Sequence, residues 1–196
     1  MVHARTQKPG SVQPGEFWLV RHALPLVASG ICYGRLDMAA DAQATLDCAQ
    51  ALAKVLPKSF SVVTSPLQRC EQLAKALRDL RPDLTFKTEK NLQEMDFGQW
   101  EGRLWDAIPR AEMDAWTANF ADYAVGNTGE SVSQFMARIA VCYDSLQPGS
   151  RTLWITHAGV IRAANLLARG VRHMEHANQW PQYAPGYGQW CKLAFV

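Results

Sequence analysis

The sequence predicts an α/β fold of three layers, in which helices flank a mostly parallel β-sheet. Apolar runs of strand length occur at residues 17–20, 60–64 and 152–156, and such runs are typical of strands that are buried on both faces. Each run is followed, directly or after a loop, by a segment whose apolar residues recur with helical spacing. Strands that alternate with helices in this way favour a parallel sheet.

The first third of the chain gives two of the strands and two helices. A loop with proline and glycine over residues 23–40 separates the first strand from a predicted helix at 41–56. After the second strand, Ser65 is placed to cap a helix that has proline at its first position and ends before Pro82. A short strand is predicted at 84–88.

The middle of the chain is predicted to be loop and helix. Residues 91–102 are interpreted as a loop with two glycines, and the aromatic-rich segment 104–123 is interpreted as helical. Ser131 and Gln134 have the spacing of a capping box, which predicts a helix that reaches about Leu146.

The last third completes the alternation. The third strand ends at His157 and leads into a helix through Leu167, and residues 189–196 are a candidate edge strand. Residues 1–15 are expected to be a flexible tail, which leaves 16–196 as a single domain.

Composition bounds the partners and the compartment. Of 196 residues 48% are hydrophobic and the net charge is only +2, without a basic run, which argues against nucleic-acid binding. The five cysteines are scattered and form no C-x-x-C pair, so free thiols in a reducing cytoplasm are expected rather than disulfides or a zinc site. No apolar run approaches the length of a membrane span, and no secretory signal is evident.

Polar side chains follow each of the three long strands. Arg21 and His22 end the first, Ser65 with Arg69 one helical turn on follows the second, and His157 follows the third. Because ligands bind beyond the carboxyl ends of parallel strands, two arginines and two histidines are predicted to converge on one crevice.

This set of residue types is suited to phosphoryl transfer. Guanidiniums match phosphate oxygens, Arg69 lies near a helix N-terminus that favours an anion, and a neutral imidazole can attack phosphorus. The leaving oxygen also needs a proton donor, for which Glu94 is the leading candidate. Asp96 and Glu101 are rivals on sequence alone, and we expect both to be solvated surface charges.

The motifs resemble, in order, those of the histidine phosphatase superfamily, which has the phosphoglycerate mutase-like fold. The matching residues are Arg21-His22-Ala23 for R-H-G, Ser65 to Arg69 with Leu73-Ala74 for S-x-L-x-R-x-x-x-T-A, Leu92 to Glu94 with Gly98 and Trp100 to Gly102 for the acid loop, Gly129-Glu130-Ser131 for G-E-S, and Thr156 to Gly159 for the late histidine motif.

The resemblance implies a metal-independent phosphoric monoester hydrolase without a cofactor, acting on a small phosphorylated metabolite. His22 would be the nucleophile that becomes phosphohistidine. Arg21, Arg69 and His157 would bind the phosphoryl group, and Glu94 would act first as general acid and then as general base.

The resemblance also implies a helical insert over the active site, at about residues 103–129, whose aromatic side chains could stack on a substrate ring. Arg35 is either an extra anion contact or a solvated loop charge. Glu130 either braces a pocket arginine or favours the start of its helix. A homodimer is left open.

Within the superfamily, residues 32–37 and the acid loop look most like the α-ribazole-5'-phosphate phosphatases of cobalamin nucleotide-loop assembly. The alternatives are a phosphoglycerate mutase, a broad-specificity phosphatase of small metabolites, and a non-catalytic sensor of phosphorylated ligands. The family's glycine, threonine and asparagine after the nucleophile are replaced by Ala23, Pro25 and Ala28, so two side-chain contacts to phosphate are not expected.

Overall fold

A computed structural model, which describes residues 15–195, confirms the predicted α/β architecture of three layers. The strands are β1 (Gly15–Arg21), β2 (Ser61–Thr64), β3 (Thr85–Thr88), β4 (Arg151–Thr156) and β5 (Trp190–Phe195). They form one sheet in the order β3-β2-β4-β1-β5. The first four are mutually parallel, and β5 pairs antiparallel with β1 at the edge.

Within residues 15–195, five α-helices lie between the strands along the chain. They are α1 (Ala42–Val55), α2 (Gln68–Leu80), α3 (Arg110–Ala118), α4 (Val132–Asp144) and α5 (Ala158–Ala168). Short 3-10 turns lie at Lys90–Leu92, Gly98–Trp100, Trp105–Ala107 and Ala177–Gln179. The capping box predicted for Ser131 and Gln134 is present at the start of α4.

The alternation of side chains along β1 divides the core into two layers. Phe17 and Leu19 pack on the side of α4 and α5, whereas Trp18 and Val20 pack on the side of α1 and α2. Since each of these side chains is at most 2% exposed, each contributes roughly 1.5–3 kcal/mol of burial free energy. This burial fixes the register of β1 and therefore the place where the strand ends.

Two local predictions are wrong, each for a specific reason. Ser65 does not cap α2, which begins three residues later; instead the Asp37 carboxylate from the preceding loop accepts the Gln68 amide at 2.8 Å. The segment 104–123 is not one helix, because Pro109 lacks an amide donor and separates a 3-10 turn from α3.

The predicted N-terminal tail lies almost entirely outside the described residues, apart from Gly15, which begins β1. The predicted edge strand at the C-terminus is present as β5. Within residues 15–195, no helix combines the length and apolar character that crossing a bilayer requires.

Candidate active site

The parallel register places the functional strand ends side by side. Arg21 at the end of β1 is paired with Thr156 at the end of β4, and the His22 amide donates to the Thr156 carbonyl at 3.0 Å. The His22 and His157 rings are therefore only 5.1 Å apart, centroid to centroid. The structure thus places the two predicted histidines side by side at this edge of the sheet.

A cavity of about 780 Å³ opens at this edge of the sheet. Four of the predicted residues line it: Arg21, His22, Arg69 and Glu94. His157 is not in the lining; its side chain is fully buried behind the ring of His22.

His22 is held as a neutral imidazole in one tautomer. Its Nδ1 lies 2.7 Å from the Ala23 carbonyl, and since a carbonyl can only accept, Nδ1 carries the proton and Nε2 keeps its lone pair. Burial, then the charges of Arg69 and Arg21, lower the pKa of His22 to about 3. The ring is therefore an uncharged potential nucleophile at neutral pH.

The two arginines beside His22 are cations that pair with no acid. The fully buried Arg69 donates from Nη1 to the Leu36 carbonyl at 2.9 Å and from Nη2 to the Gly34 carbonyl at 2.6 Å. The half-buried Arg21 donates to the Pro185 carbonyl at 3.3 Å. Within the described part of the chain, neither forms an ion pair with a carboxylate. Because uncompensated buried charge is costly, this end of the cavity favours an anion.

His157 is oriented by neighbours on α2 and the loop before it. Its Nε2 lies 2.8 Å from the Ser65 hydroxyl and 3.5 Å from the Cys70 sulfur. Complete burial, followed by the charge of Arg69, keeps the pKa of His157 well below its ordinary value. Ser65 therefore fixes a site imidazole in place of the helix cap predicted for it.

Glu94 is held by backbone amides at the edge of the cavity. Its Oε1 accepts the Met95 amide at 3.0 Å, and its Oε2 accepts the Gly159 amide at 2.9 Å, at the start of α5. A Cβ on Gly159 would lie 2.2 Å from Oε1. Only glycine at this position lets the carboxylate approach so closely.

Arg138, which the sequence analysis missed, braces the loop that carries Glu94. It donates to the carbonyls of Asn91, Gln93 and Glu94 at 2.6–2.9 Å and makes a two-bond ion pair with Glu130 at 2.6 and 2.9 Å. Burial alone would raise the pKa of Glu130, but Arg138 holds it below its usual value. The spacing of this pair gave no signal for the contact, because helical side chains meet at three or four residues apart and Glu130 lies before α4.

Arg35 does not reach the cavity wall. Its guanidinium forms ion pairs with Asp96 at 3.1 Å and Glu130 at 3.4 Å. Arg35 therefore stabilises the surrounding loops and does not make the predicted anion contact in the cavity. Asp96 and Glu101 are not freely solvated either, because Glu101 accepts the backbone amides of Arg35 and Phe97 at 2.8 and 3.0 Å. Glu94 is the one of these three carboxylates that lines the cavity.

The far end of the cavity is aromatic, and the predicted insert supplies part of it. Apart from Tyr33, which lies near Arg69, the aromatic lining residues are Phe97, Trp105, Trp116, Phe120, Phe135 and Trp180. Arg162 of α5, also missed, lines the same cavity; it is half-buried and donates to the Gln182 carbonyl at 3.0 Å. Arg162 follows His157 by five residues, much as Arg69 follows Ser65 by four. This similar spacing of an arginine after a strand end was a usable sequence signal.

Replacement of the signature glycine by alanine causes no backbone strain. The non-glycine residues with positive φ in the described chain are Ser59 and Asn127, so Ala23 adopts an ordinary conformation. No group of three His, Cys, Asp or Glu side chains among residues 15–195 is arranged to hold a metal ion.

Comparison with known proteins matches nearly the whole chain to one family. A family model described as "Histidine phosphatase superfamily (branch 1)" matches residues 17–194. A curated relative, "Putative phosphoserine phosphatase 2" of Hydrogenobacter thermophilus, is 25% identical over 161 residues, which are 79% of this chain and 78% of the relative.

Solved structures share the fold. The protein TTHB049 of Thermus thermophilus is 25% identical, with a TM-score of 0.68 over 92% of this chain and 99% of that chain. A mycobacterial glucosyl-3-phosphoglycerate phosphatase is 22% identical, with a TM-score of 0.72 over 92% and 90%. The α-ribazole phosphatase of Shigella flexneri is 22% identical, with a TM-score of 0.71 over 90% and 89%.

We expect the buried histidines to make the protein less stable in mild acid. Both His22 and His157 have lowered pKa values in the fold, so below about pH 6.5 the unfolded chain binds protons that the folded chain does not. The free energy of unfolding should fall with decreasing pH by about 1.4 kcal/mol per pH unit for each fully linked proton. Urea denaturation between pH 7.5 and 5 measures this slope.

The matched variants are His22→Ala and His173→Ala. The first should reduce the slope by the contribution of about one linked proton, about 1.4 kcal/mol per pH unit. The second should leave the slope unchanged because His173 is exposed. A wild-type slope in His22→Ala would contradict the assignment of a neutral buried imidazole.

Proposed function

Because the chain belongs to the histidine phosphatase superfamily and is a phosphatase, we propose that it hydrolyses a small phosphomonoester through a phosphohistidine on His22. The observation that supports this most directly is a neutral imidazole flanked by two guanidiniums that form no ion pair with an acid in the described part of the chain. The site is charged to bind a phosphate and leaves a lone pair free to attack it.

In the first step the Nε2 lone pair of His22 attacks phosphorus and the bond from phosphorus to the leaving oxygen breaks. Protonated Glu94 donates its proton to that oxygen, so that an alcohol departs rather than an alkoxide. Arg21 and Arg69 hold the non-bridging oxygens, on which the transition-state charge lies, and the buried His157 packs behind the ring of His22.

In the second step water attacks the phosphohistidine. The Glu94 carboxylate accepts a proton from that water, the P–N bond breaks, and its electron pair returns to Nε2 of His22. Inorganic phosphate leaves, and Glu94 is protonated for the next cycle. Each group returns to its starting state without a metal or a redox step.

For the substrate we propose α-ribazole-5'-phosphate, an intermediate of cobalamin nucleotide-loop assembly. The cavity volume of about 780 Å³ is in the range of roughly 300–1,000 Å³ that suits such ligands. Its cationic end fits a phosphate, and its aromatic end fits the planar base that this ester carries on its ribose. The shared fold of the Shigella flexneri α-ribazole phosphatase supports this choice.

A phosphorylated small acid is a second candidate, and Arg162 favours it. The buried Nε of that guanidinium has no hydrogen-bond partner, and a substrate carboxylate would suit it. The name of the Hydrogenobacter thermophilus relative points to phosphoserine, which is such an acid. The phosphoglycerates on which a mutase would act are also phosphorylated small acids.

We expect His22→Ala to lower kcat by about 10³-fold or more, because the covalent route is lost. Brief incubation of the wild type with a ³²P-labelled phosphomonoester, followed by quenching, should label the protein at an acid-labile bond that His22→Ala lacks. Unchanged hydrolysis by the variant in EDTA would refute the mechanism. Ester binding by the wild type with no turnover would indicate the sensor alternative.

We expect Gly159→Ala to lower kcat by about 10²-fold for alkyl phosphates, because its Cβ displaces the Glu94 carboxylate. The loss should be smaller for p-nitrophenyl phosphate, whose leaving group needs no proton. The double variant Gly159→Ala/Glu94→Gln should be no slower than Glu94→Gln alone. Additive losses would mean that glycine acts through something other than Glu94.

A panel of esters with two matched variants separates the substrate classes. We expect the wild type to have its highest kcat/KM for α-ribazole-5'-phosphate, and Trp116→Leu to lower it about tenfold through lost stacking. Arg162→Met should lower that value less than about threefold and lower kcat/KM for O-phosphoserine and 3-phosphoglycerate about tenfold. A higher kcat/KM for O-phosphoserine or 3-phosphoglycerate than for α-ribazole-5'-phosphate would favour the small acids. Interconversion of phosphoglycerates faster than release of phosphate would favour a mutase.

A further inference from the structure

The antiparallel edge strand brings a second chain segment to the phosphate end of the cavity. Because β5 runs against β1, the residues just before β5 lie beside the carboxyl end of β1. The Gly188 amide donates to the carbonyls of Arg21 and His22 at 3.2 and 3.0 Å. Tyr187, which precedes this anchor, is thereby held next to both site residues.

The guanidinium of Arg21 lies over the ring of Tyr187. The Cζ atom of Arg21 is 3.9 Å from the ring centroid, and the same ring is 5.7 Å from that of His22. The other described contact of that guanidinium is the Pro185 carbonyl, and its buried Nε has no hydrogen-bond partner. The tyrosine ring is therefore the main surface that sets how Arg21 is oriented.

A second tyrosine connects this ring to the other phosphate-binding arginine. The hydroxyl oxygens of Tyr187 and Tyr33 are 2.7 Å apart. Tyr33 lines the cavity, and the Arg69 Cζ is 5.6 Å from its ring centroid. Arg21 therefore contacts Tyr187, Tyr187 is hydrogen-bonded to Tyr33, and Tyr33 contacts Arg69.

We propose that Tyr187 is a positioning residue for phosphate, and that its hydrogen bond to Tyr33 sets the spacing of the two guanidiniums that hold the ester. The proposal rests on the phosphatase function given above. A ring face attracts a guanidinium without neutralising it, whereas a carboxylate in the same place would form an ion pair and compete with the substrate. The tyrosine pair therefore orients Arg21 and leaves its N–H donors for phosphate.

The first test measures the affinity of the variants for inorganic phosphate, by calorimetry and by product inhibition. Tyr187→Leu removes the ring and should weaken phosphate binding about tenfold, and Tyr187→Trp should restore most of it because indole is the better cation–π partner. KM for p-nitrophenyl phosphate should rise in parallel, with a smaller change in kcat. The control is Tyr183→Leu, since Tyr183 is 74% exposed and should be neutral.

The second test isolates the hydrogen bond. Tyr33→Phe and Tyr187→Phe each remove the same bond and should each weaken phosphate binding about threefold, and the double variant should be no weaker than either. Additive losses, or wild-type affinity in Tyr187→Leu, would overturn the proposal. If Tyr187→Leu does not fold, the two phenylalanine variants decide the question.

The wild type separates this inference from the phosphatase proposal. If it hydrolyses p-nitrophenyl phosphate and binds inorganic phosphate, the phosphatase function stands whatever the tyrosine variants do. If the wild type neither hydrolyses p-nitrophenyl phosphate nor binds inorganic phosphate, the phosphatase proposal is refuted, and the inference about Tyr187 that rests on it is refuted as well.

Discussion

The buried guanidinium of Arg69 is the constraint on which the site depends. It is fully removed from solvent and is bonded to two backbone carbonyls and, among residues 15–195, to no acid. Burial is the main cause of the lowered pKa of both His22 and His157, and the charge of Arg69 is the next largest, so the cation that would bind phosphate also helps to keep the nucleophile neutral. Nearby structure holds it in place, since Asp37 caps the helix that carries it. An anion is the group that would relieve this buried charge.

The pairing of the arginines distinguishes structural roles from ligand-binding roles. Arg35 and Arg138 contact Glu130, a carboxylate behind the acid loop, and they hold that loop against the body of the protein. Arg21 and Arg69 line the cavity, and their hydrogen bonds within the described chain go to backbone carbonyls. Asp96 and Glu130 thus pair with cations that brace the backbone, whereas Glu94, the acid that lines the cavity, forms no ion pair with Arg21 or Arg69 among residues 15–195.

The two ends of the cavity are built by different means. At the phosphate end, strand register and backbone hydrogen bonds hold the groups in place, including the amides that bind Glu94. At the aromatic end, side-chain packing does so, as where Trp116 stacks on Phe120 with ring centroids 5.7 Å apart. Strand register changes little when side chains do, whereas aromatic packing follows sequence directly. The phosphate end is therefore suited to the phosphoryl-transfer chemistry, and the aromatic end is suited to determining which substrate binds.

The sequence by itself determined the sheet and its main helices, because apolar periodicity reports burial directly. It also determined that Arg21, His22, Arg69 and His157 would meet, since parallel strands bring their carboxyl ends to one edge. The tertiary structure decided which charges pair: Arg35 joined Asp96 and Glu130, away from the cavity. It also decided that Tyr187 lies against Arg21, and that Ser65 orients His157 instead of capping a helix. These contacts join residues far apart in the chain, and their partners follow from packing and desolvation in three dimensions, which local periodicity does not encode.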